Sequence, residues 1–237
     1  GTIINNRYIV QGLIGQGGMG YVYLVRDTLK ANMEIALKTF KGKMSESPEH
    51  LAIFKQEFII MTRLKHPNLI NVFNFGFDDQ KDCHYITMEY LRGLSLKHMM
   101  KESNIIEKQH AIDIVVKLAR GLEFIHSRNI ISRDVKPSNI VIDGGNVKLM
   151  DFGISDIGKV DQKKIKGSLL YIAPEILVGE ADHRVDIYSL GTVFLQMLTG
   201  RIIYHETKAT SILNLIKDEY LFLYNQSVIL DKVSDPG

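Results

Sequence analysis

Apolar and polar positions alternate in short runs through the first part of the chain and recur at helical spacing through most of the rest. Tyr8–Leu13, Tyr21–Arg26, Glu34–Phe40, Leu69–Phe77 and His84–Tyr90 are rich in β-branched and aromatic residues, so five strands are predicted before Leu91. One helix interrupts them. Ser47-Pro48-Glu49 supplies an N-cap, a proline for the first turn and an early acid, and Leu51, Phe54, Phe58, Met61 and Leu64 follow at helical spacing. After Leu91-Arg92-Gly93 the pattern turns mainly helical. Lys108–Ser127 carries Ile112, Val115, Ala119, Leu122 and His126 on a helical stripe, Val185–Thr199 reads as a buried helix closed by Gly200, and an amphipathic helix is predicted near 209–219. The pattern therefore predicts an α+β protein: a small β-rich lobe with one helix, a short hinge, and a larger, mainly helical lobe across a cleft.

Within the helical part, Ile140–Ile142 and Val147–Met150 read as two strands of a hairpin joined by Asp143-Gly144-Gly145-Asn146. A hairpin brings its outer ends together, so Asp134, Asn139 and Asp151 should converge at one edge beside Lys136. Oxygen-bearing side chains next to a lysine suit a hard cation and a phosphate. The β-rich part offers a second candidate. Gly15-Gln16-Gly17-Gly18-Met19-Gly20 lies between two strands, where unhindered backbone N–H groups can approach a ligand. A dinucleotide-binding turn needs a helix after such glycines, and Tyr21–Val25 is β-prone instead. Lys38 interrupts an apolar strand on the face shared with Ala36, and Glu57 lies on or beside the inward stripe of the helix. A carboxylate there needs a cation, and Lys38 is the obvious one.

Composition narrows the setting. The chain has 237 residues, is 45% hydrophobic and 24% charged, and carries a net charge of +2, which makes no case for a nucleic-acid binder. Cys83 is the only cysteine, so no internal disulfide forms, in keeping with a reducing, cytoplasmic setting. The first residues lack the apolar segment of a signal peptide, and the apolar run Ile187–Leu198 is too short and too interrupted to enter a membrane.

The ordered motifs resemble the protein kinase family: GQGGMGYVY its glycine-rich loop, IALK its strand lysine, SRDVKPSN its catalytic loop, DFG its metal loop and APE the end of its activation segment. The wording of the glycine loop and of VKPSN is similar to the bacterial, eukaryotic-like Ser/Thr kinases, and Lys136 is the residue of Ser/Thr rather than tyrosine enzymes. The resemblance implies a bilobal kinase domain over residues 1–237, with an N-terminal lobe at 1–91 and a C-terminal lobe at 92–237. It implies transfer of the ATP γ-phosphoryl group to a Ser/Thr hydroxyl of a protein substrate, with Mg²⁺ as cofactor. Ile14, Gly15, Gly17, Gly20, Val22, Ala36 and Val141 would enclose the nucleotide, with Met88 as gatekeeper and Glu89 to Leu91 as hinge. Lys38, paired with Glu57, would hold the α- and β-phosphates, and Asn139 and Asp151 would bind Mg²⁺. Asp134 would act as base, Lys136 would stabilise the moving phosphoryl group, Ser168 would bond both, and Asp186 would anchor the loop. A homodimer is compatible with the resemblance.

Three departures qualify the match. Ser132 stands where the family has histidine under the DFG phenylalanine, here Phe152, so the active arrangement is expected to be less pre-organised. Between Gly153 and Gly167 the only hydroxyl is Ser155, among Lys159, Lys163, Lys164 and Lys166, so activation is expected not to depend on a phosphate there. The family continues with further helices, one bringing an arginine to Glu175; their lack after Gly237 suggests a C-terminally incomplete fragment of a longer protein. The alternatives are a nucleotide-binding pseudokinase or regulatory module, and a kinase-fold enzyme acting on a small molecule.

Overall fold

The computed structural model describes residues 1–17, 20–40, 55, 58–150, 169–178 and 182–202. The chain forms two compact units: Gly1–Leu94 with Val141–Ile154, and Ser95–Ile140 with Ser155–Gly237. Residues 141–149, which follow the expected lobe boundary in sequence, thus group with the first unit.

The first unit is built on a six-stranded antiparallel sheet in the order β1-β2-β3-β4-β6-β5. Its strands are β1 (Ile3–Ile4), β2 (Tyr8–Gly17), β3 (Gly20–Asp27), β4 (Met33–Phe40), β5 (Val72–Asp78) and β6 (Cys83–Glu89). The five predicted strands are all present, and β1 is an addition to them. Its signal was in the sequence: Asn5 and Asn6 take positive φ values of 49° and 50°, and asparagine tolerates that left-handed turn, which folds Ile3–Ile4 back onto Ile9 and Tyr8. β4 is central and buried on both faces from Ile35 to Phe40, which is why Ile35, Ala36 and Leu37 are apolar in succession. On one face Ile4, Tyr8, Val25, Ile35, Leu37 and Tyr85 form a core. Residues 55 and 58–63 are helical, and Met61 and Leu64 are buried, as their spacing predicts.

Leu69–Phe77 is not strand throughout. Residues 68–70 are instead stitched to the hairpin β8 (Ile140–Asp143) and β9 (Asn146–Leu149). The N–H of Leu149 donates to Asn68 O, the N–H of Ile70 donates to Leu149 O, and Asn68 Nδ2 donates to Val147 O, at 2.9, 3.0 and 2.9 Å. Gly144 and Gly145, at φ 54° and 85°, make the predicted turn. A two-residue strand, β7 (Leu94–Ser95), completes a second sheet in the order β7-β8-β9.

The second unit is helical. Ser95 caps α1 (Leu96–Ser103) by accepting from the N–H of His98, and Glu107 caps α2 (Lys108–His126) by accepting from the N–H groups of Gln109 and His110. α2 buries Ala111, Ile114, Leu118, Gly121, Leu122 and Ile125. Of the predicted stripe Leu122 is buried, whereas the rest of the observed stripe lies about one residue before the predicted Ile112, Val115, Ala119 and His126. α2 is apolar over a broad face, so spacing alone did not fix which edge of it turns inward. α3 (Arg184–Thr199) packs against α2 and ends where Gly200 adopts a left-handed φ of 68°. The helix predicted near 209–219 lies outside the described residues. Among the described residues no helix is long and apolar enough to cross a membrane.

Candidate active site

The glycine-bearing hairpin joins β2 to β3, with Gly15 opposite Val22 and Gly17 opposite Gly20. The register slips between Leu13 and Gly15, a bulge that leaves Ile14 outside the ladder and exposed. Gly20 has a reason to be glycine, since a Cβ there would sit 1.7 Å from Thr39 O on the neighbouring strand. Beyond the loop, Val22 pairs with Lys38, Lys38 with Ile86, and Ala36 with Met88. Alternation puts Ala36 and Lys38 on one face of β4, beside Ile86 and Met88. Lys38 is 8% exposed, so its side chain does not reach out along the surface as an ordinary strand lysine would. Val141, on β8, is also buried. Glu57, the expected partner of Lys38, lies outside the described residues.

Glu89 begins the expected hinge, and its carboxylate is committed to structure. Oε1 accepts from Asn71 N–H at 2.7 Å, from Asn71 Nδ2 at 3.1 Å and from Lys148 Nζ at 2.7 Å. Lys148 also donates to Leu69 O at 3.1 Å. This node ties the end of β6 to the segment before β5 and to β9, and the Glu89 N–H adds a bond to Asn71 O at 2.9 Å. Leu91 is half-buried. Asn71 and Lys148 were missed in the sequence, since a lysine in NVKL reads as an outward strand position.

In the second unit Asp134, Lys136 and Asn139 meet. Lys136 Nζ lies 2.6 and 2.7 Å from the two Asp134 carboxylate oxygens. Asn139 Nδ2 donates to Asp134 O at 3.0 Å and to its Oδ2 at 2.7 Å. Asn139 ends a single 3₁₀ turn, Pro137–Asn139, which carries it back towards Asp134. Asp134 and Lys136 remain partly exposed while Asn139 is buried, so the carboxylate is held from one side and open on another. A small pocket here is lined by Arg133, Asp134, Val135, Lys136, Tyr171, Ile172 and Ser189.

The loop carrying Asp134 is fixed from behind. Asp186, with no exposed surface, accepts from the N–H of Ser132 at 2.8 Å and of Arg133 at 2.7 Å. His126 Nε2 lies 2.8 Å from Asp186 Oδ2. Arg133 has a φ of 58°, a conformation that a residue with a Cβ adopts at a cost of about 1–2 kcal/mol, here held by that bond. His126 is the residue missed here: its place on the helical stripe suggested packing, whereas it ends α2 beside a buried carboxylate. Ser132 is fully buried. Asp151, Phe152, Ser155 and Ser168 lie outside the described residues, so the structure brings together Asp134, Lys136 and Asn139 in one unit and Ala36, Lys38, Met88 and Glu89 in the other.

A family model described as the protein kinase domain matches residues 8–235. A probable serine/threonine-protein kinase of Clostridium acetobutylicum is 37% identical over 218 residues, covering 90% of this chain and 33% of the relative. The serine/threonine-protein kinase PrkC of Bacillus subtilis is 34% identical over 218 residues, with coverage of 90% and 33%. Among solved structures, the kinase domain of Mycobacterium tuberculosis PknI superposes with a TM-score of 0.71 at 27% identity, covering 90% of this chain and 83% of that one. The chain spans about a third of the length of these curated relatives.

Proposed function

This chain belongs to the protein kinase family, as a catalytic domain of the serine/threonine type, and on that premise we propose that it transfers the γ-phosphoryl group of ATP to protein serine or threonine hydroxyls with Asp134 as base. The observation that carries this reading is the Asp134–Lys136–Asn139 cluster on a loop tied down by Asp186. Asp134 orients a substrate hydroxyl and takes its proton as the new O–P bond forms, while the bond to the leaving ADP oxygen breaks. Lys136, which lies on the Asp134 carboxylate, offsets the charge of the γ-phosphate during transfer. Gly15, Gly17 and Gly20 give backbone N–H groups a close approach to the phosphates, and the buried Lys38 ammonium holds the α- and β-phosphates with Glu57 as its partner. Ile14, Val22, Ala36 and Val141 provide apolar cover for the adenine, Met88 limits the depth of its pocket, and the backbone from Glu89 to Leu91 reads its edge.

Asn139 and Asp151 offer a carboxamide and a carboxylate oxygen, the hard donors Mg²⁺ prefers. Held there, Mg²⁺ would supply positive charge to offset that of the phosphates. A cytoplasmic setting with protein partners is part of this proposal; the single cysteine and the use of ATP support it.

The test is phosphotransfer from Mg·ATP to the protein itself and to a generic basic protein, with Asp134→Asn and Lys38→Met beside the wild type. Transfer by the wild type and a loss of roughly 100-fold or more in each variant supports the reading. Nucleotide binding without Asp134-dependent transfer would instead identify a non-catalytic module, the reading that Ser132 favours.

A further inference from the structure

His84 lies on β6 opposite Phe77 and is 8% exposed. Its face of the strand continues through Ile86, the partner of Lys38, to Met88. Neither imidazole nitrogen has a hydrogen-bond partner among the described residues. The ring sits instead between two phenylalanines, 4.7 Å from the ring centre of Phe77 in an edge arrangement and 5.4 Å from that of Phe75. Phe75 in turn meets Phe58, on the helical stretch, at 5.6 Å. The packing thus runs unbroken from that stretch through Phe58 and Phe75 to the imidazole.

As a spacer between rings, a phenylalanine would serve as well and would leave no buried nitrogen unbonded. What histidine adds is a proton site near pH 6.5. The described charges acting on it are Lys55, one turn before Phe58, and Asp82, in the turn between β5 and β6. Burial first, and then Lys55, hold the imidazole below its ordinary 6.5, with Asp82 opposing weakly. The sign follows: the folded ring resists protonation, so its stabilising effect is complete above 6.5 and is lost as pH falls below it.

We propose that His84 makes the seating of the helical stretch on the sheet acid-sensitive, so that protonation displaces the ring, Phe75 and Phe58 with it, and loosens residues 58–63. A charged imidazole has no acceptor in its aromatic box and a lysine beside it; it is stabilised by moving towards Asp82 and water. The consequence for catalysis rests on the kinase reading, through the pairing of Glu57 with Lys38. The titration and the loosening do not.

The experiment follows the His84 Cε1–H resonance by NMR from about pH 8 to pH 5 in the wild type and in Lys55→Met, since unperturbed histidines titrate within this range. Amide hydrogen exchange of residues 58–63 and phosphotransfer are measured over the same range, also in His84→Phe. The expected result is a His84 midpoint below the ordinary value that Lys55→Met raises. Exchange across 58–63 speeds up in acid by roughly threefold or more in the wild type and by clearly less in His84→Phe. The acid loss of phosphotransfer shrinks in parallel. A midpoint at or above the ordinary value would mean the rings favour the cation and would overturn the proposal. So would equal acid sensitivity of 58–63 in the wild type and His84→Phe. Absence of phosphotransfer at every pH would sink the kinase reading alone, because the resonance and the exchange still report on His84. Should His84→Phe not fold, the wild-type titration and Lys55→Met decide the matter.

Discussion

The anchoring of the Asp134 loop makes Asp186→Asn the most informative single change. The carboxylate meets the N–H of Ser132 at 2.8 Å, the N–H of Arg133 at 2.7 Å and His126 Nε2 at 2.8 Å, all without solvent. An asparagine keeps the shape but offers one oxygen, so its amide nitrogen must face one of these donors. A buried donor left without an acceptor costs about 1–3 kcal/mol, and relaxation of Arg133 out of its left-handed conformation returns about 1 kcal/mol. The net expectation is a destabilisation of about 1 kcal/mol, or roughly 2–4 °C in Tm for a chain of this size. The relaxation that saves the fold harms the chemistry, because Asp134 is the next residue. A shift of about 1 Å in a reacting group costs on the order of 100-fold in rate. Thermal melting and steady-state phosphotransfer should therefore show a modest loss of Tm, a large loss of kcat and an ATP KM within about twofold of the wild type. A variant that melts with the wild type and keeps kcat within about threefold would refute the reasoning.

Three further outcomes follow from the first unit. Lys148→Met should leave the Glu89 carboxylate with only the Asn71 donors, lowering stability by about 1–3 kcal/mol and raising the ATP KM more than it lowers kcat, as read by melting and kinetics. Gly20→Ala should push β3 from β4, since its Cβ would lie 1.7 Å from Thr39 O; a nucleotide affinity within about twofold of wild type by calorimetry would contradict this. Two hydrogen bonds from Arg7 to the buried Asp27, both at 2.7 Å, hold that carboxyl below its ordinary 3.8. Their stabilisation is present above 3.8 and fades as pH falls through the lower folded value, so Arg7→Gln should cost about 1–3 kcal/mol at neutral pH, and urea midpoints should converge with wild type in acid.

The sheet, the hairpin and the two long helices were legible because each is written in a local code: the β-prone apolar run within EIALKTF, the turn glycines after Asp143, the helical stripe closed by Gly200. The identity of Asp134, Lys136 and Asn139 as a cluster was legible too, since all lie within one loop. What stayed hidden depends on distant partners. His126 reads as one more stripe residue until α3 brings Asp186 to it, and Lys148 reads as a surface lysine until Glu89 and Leu69 O are placed beside it. His84 was taken only as a strand residue, because its environment is supplied by β5 and by the helical stretch. The short β1 was overlooked for another reason: two residues are too few for alternation to register.

The bonds that fix the catalytic loop span 53, 54 and 60 residues of sequence. No local segment around Asp134 therefore carries the loop's shape by itself. On a ribosome, where the chain emerges from its N-terminus, the sheet and the β8–β9 hairpin can form while Arg133 is still free to leave its left-handed conformation. The loop acquires its geometry only after α3 has been made and has docked on α2. A nascent chain that already displays every residue of SRDVKPSN is thus still without the arrangement those residues adopt in the folded chain.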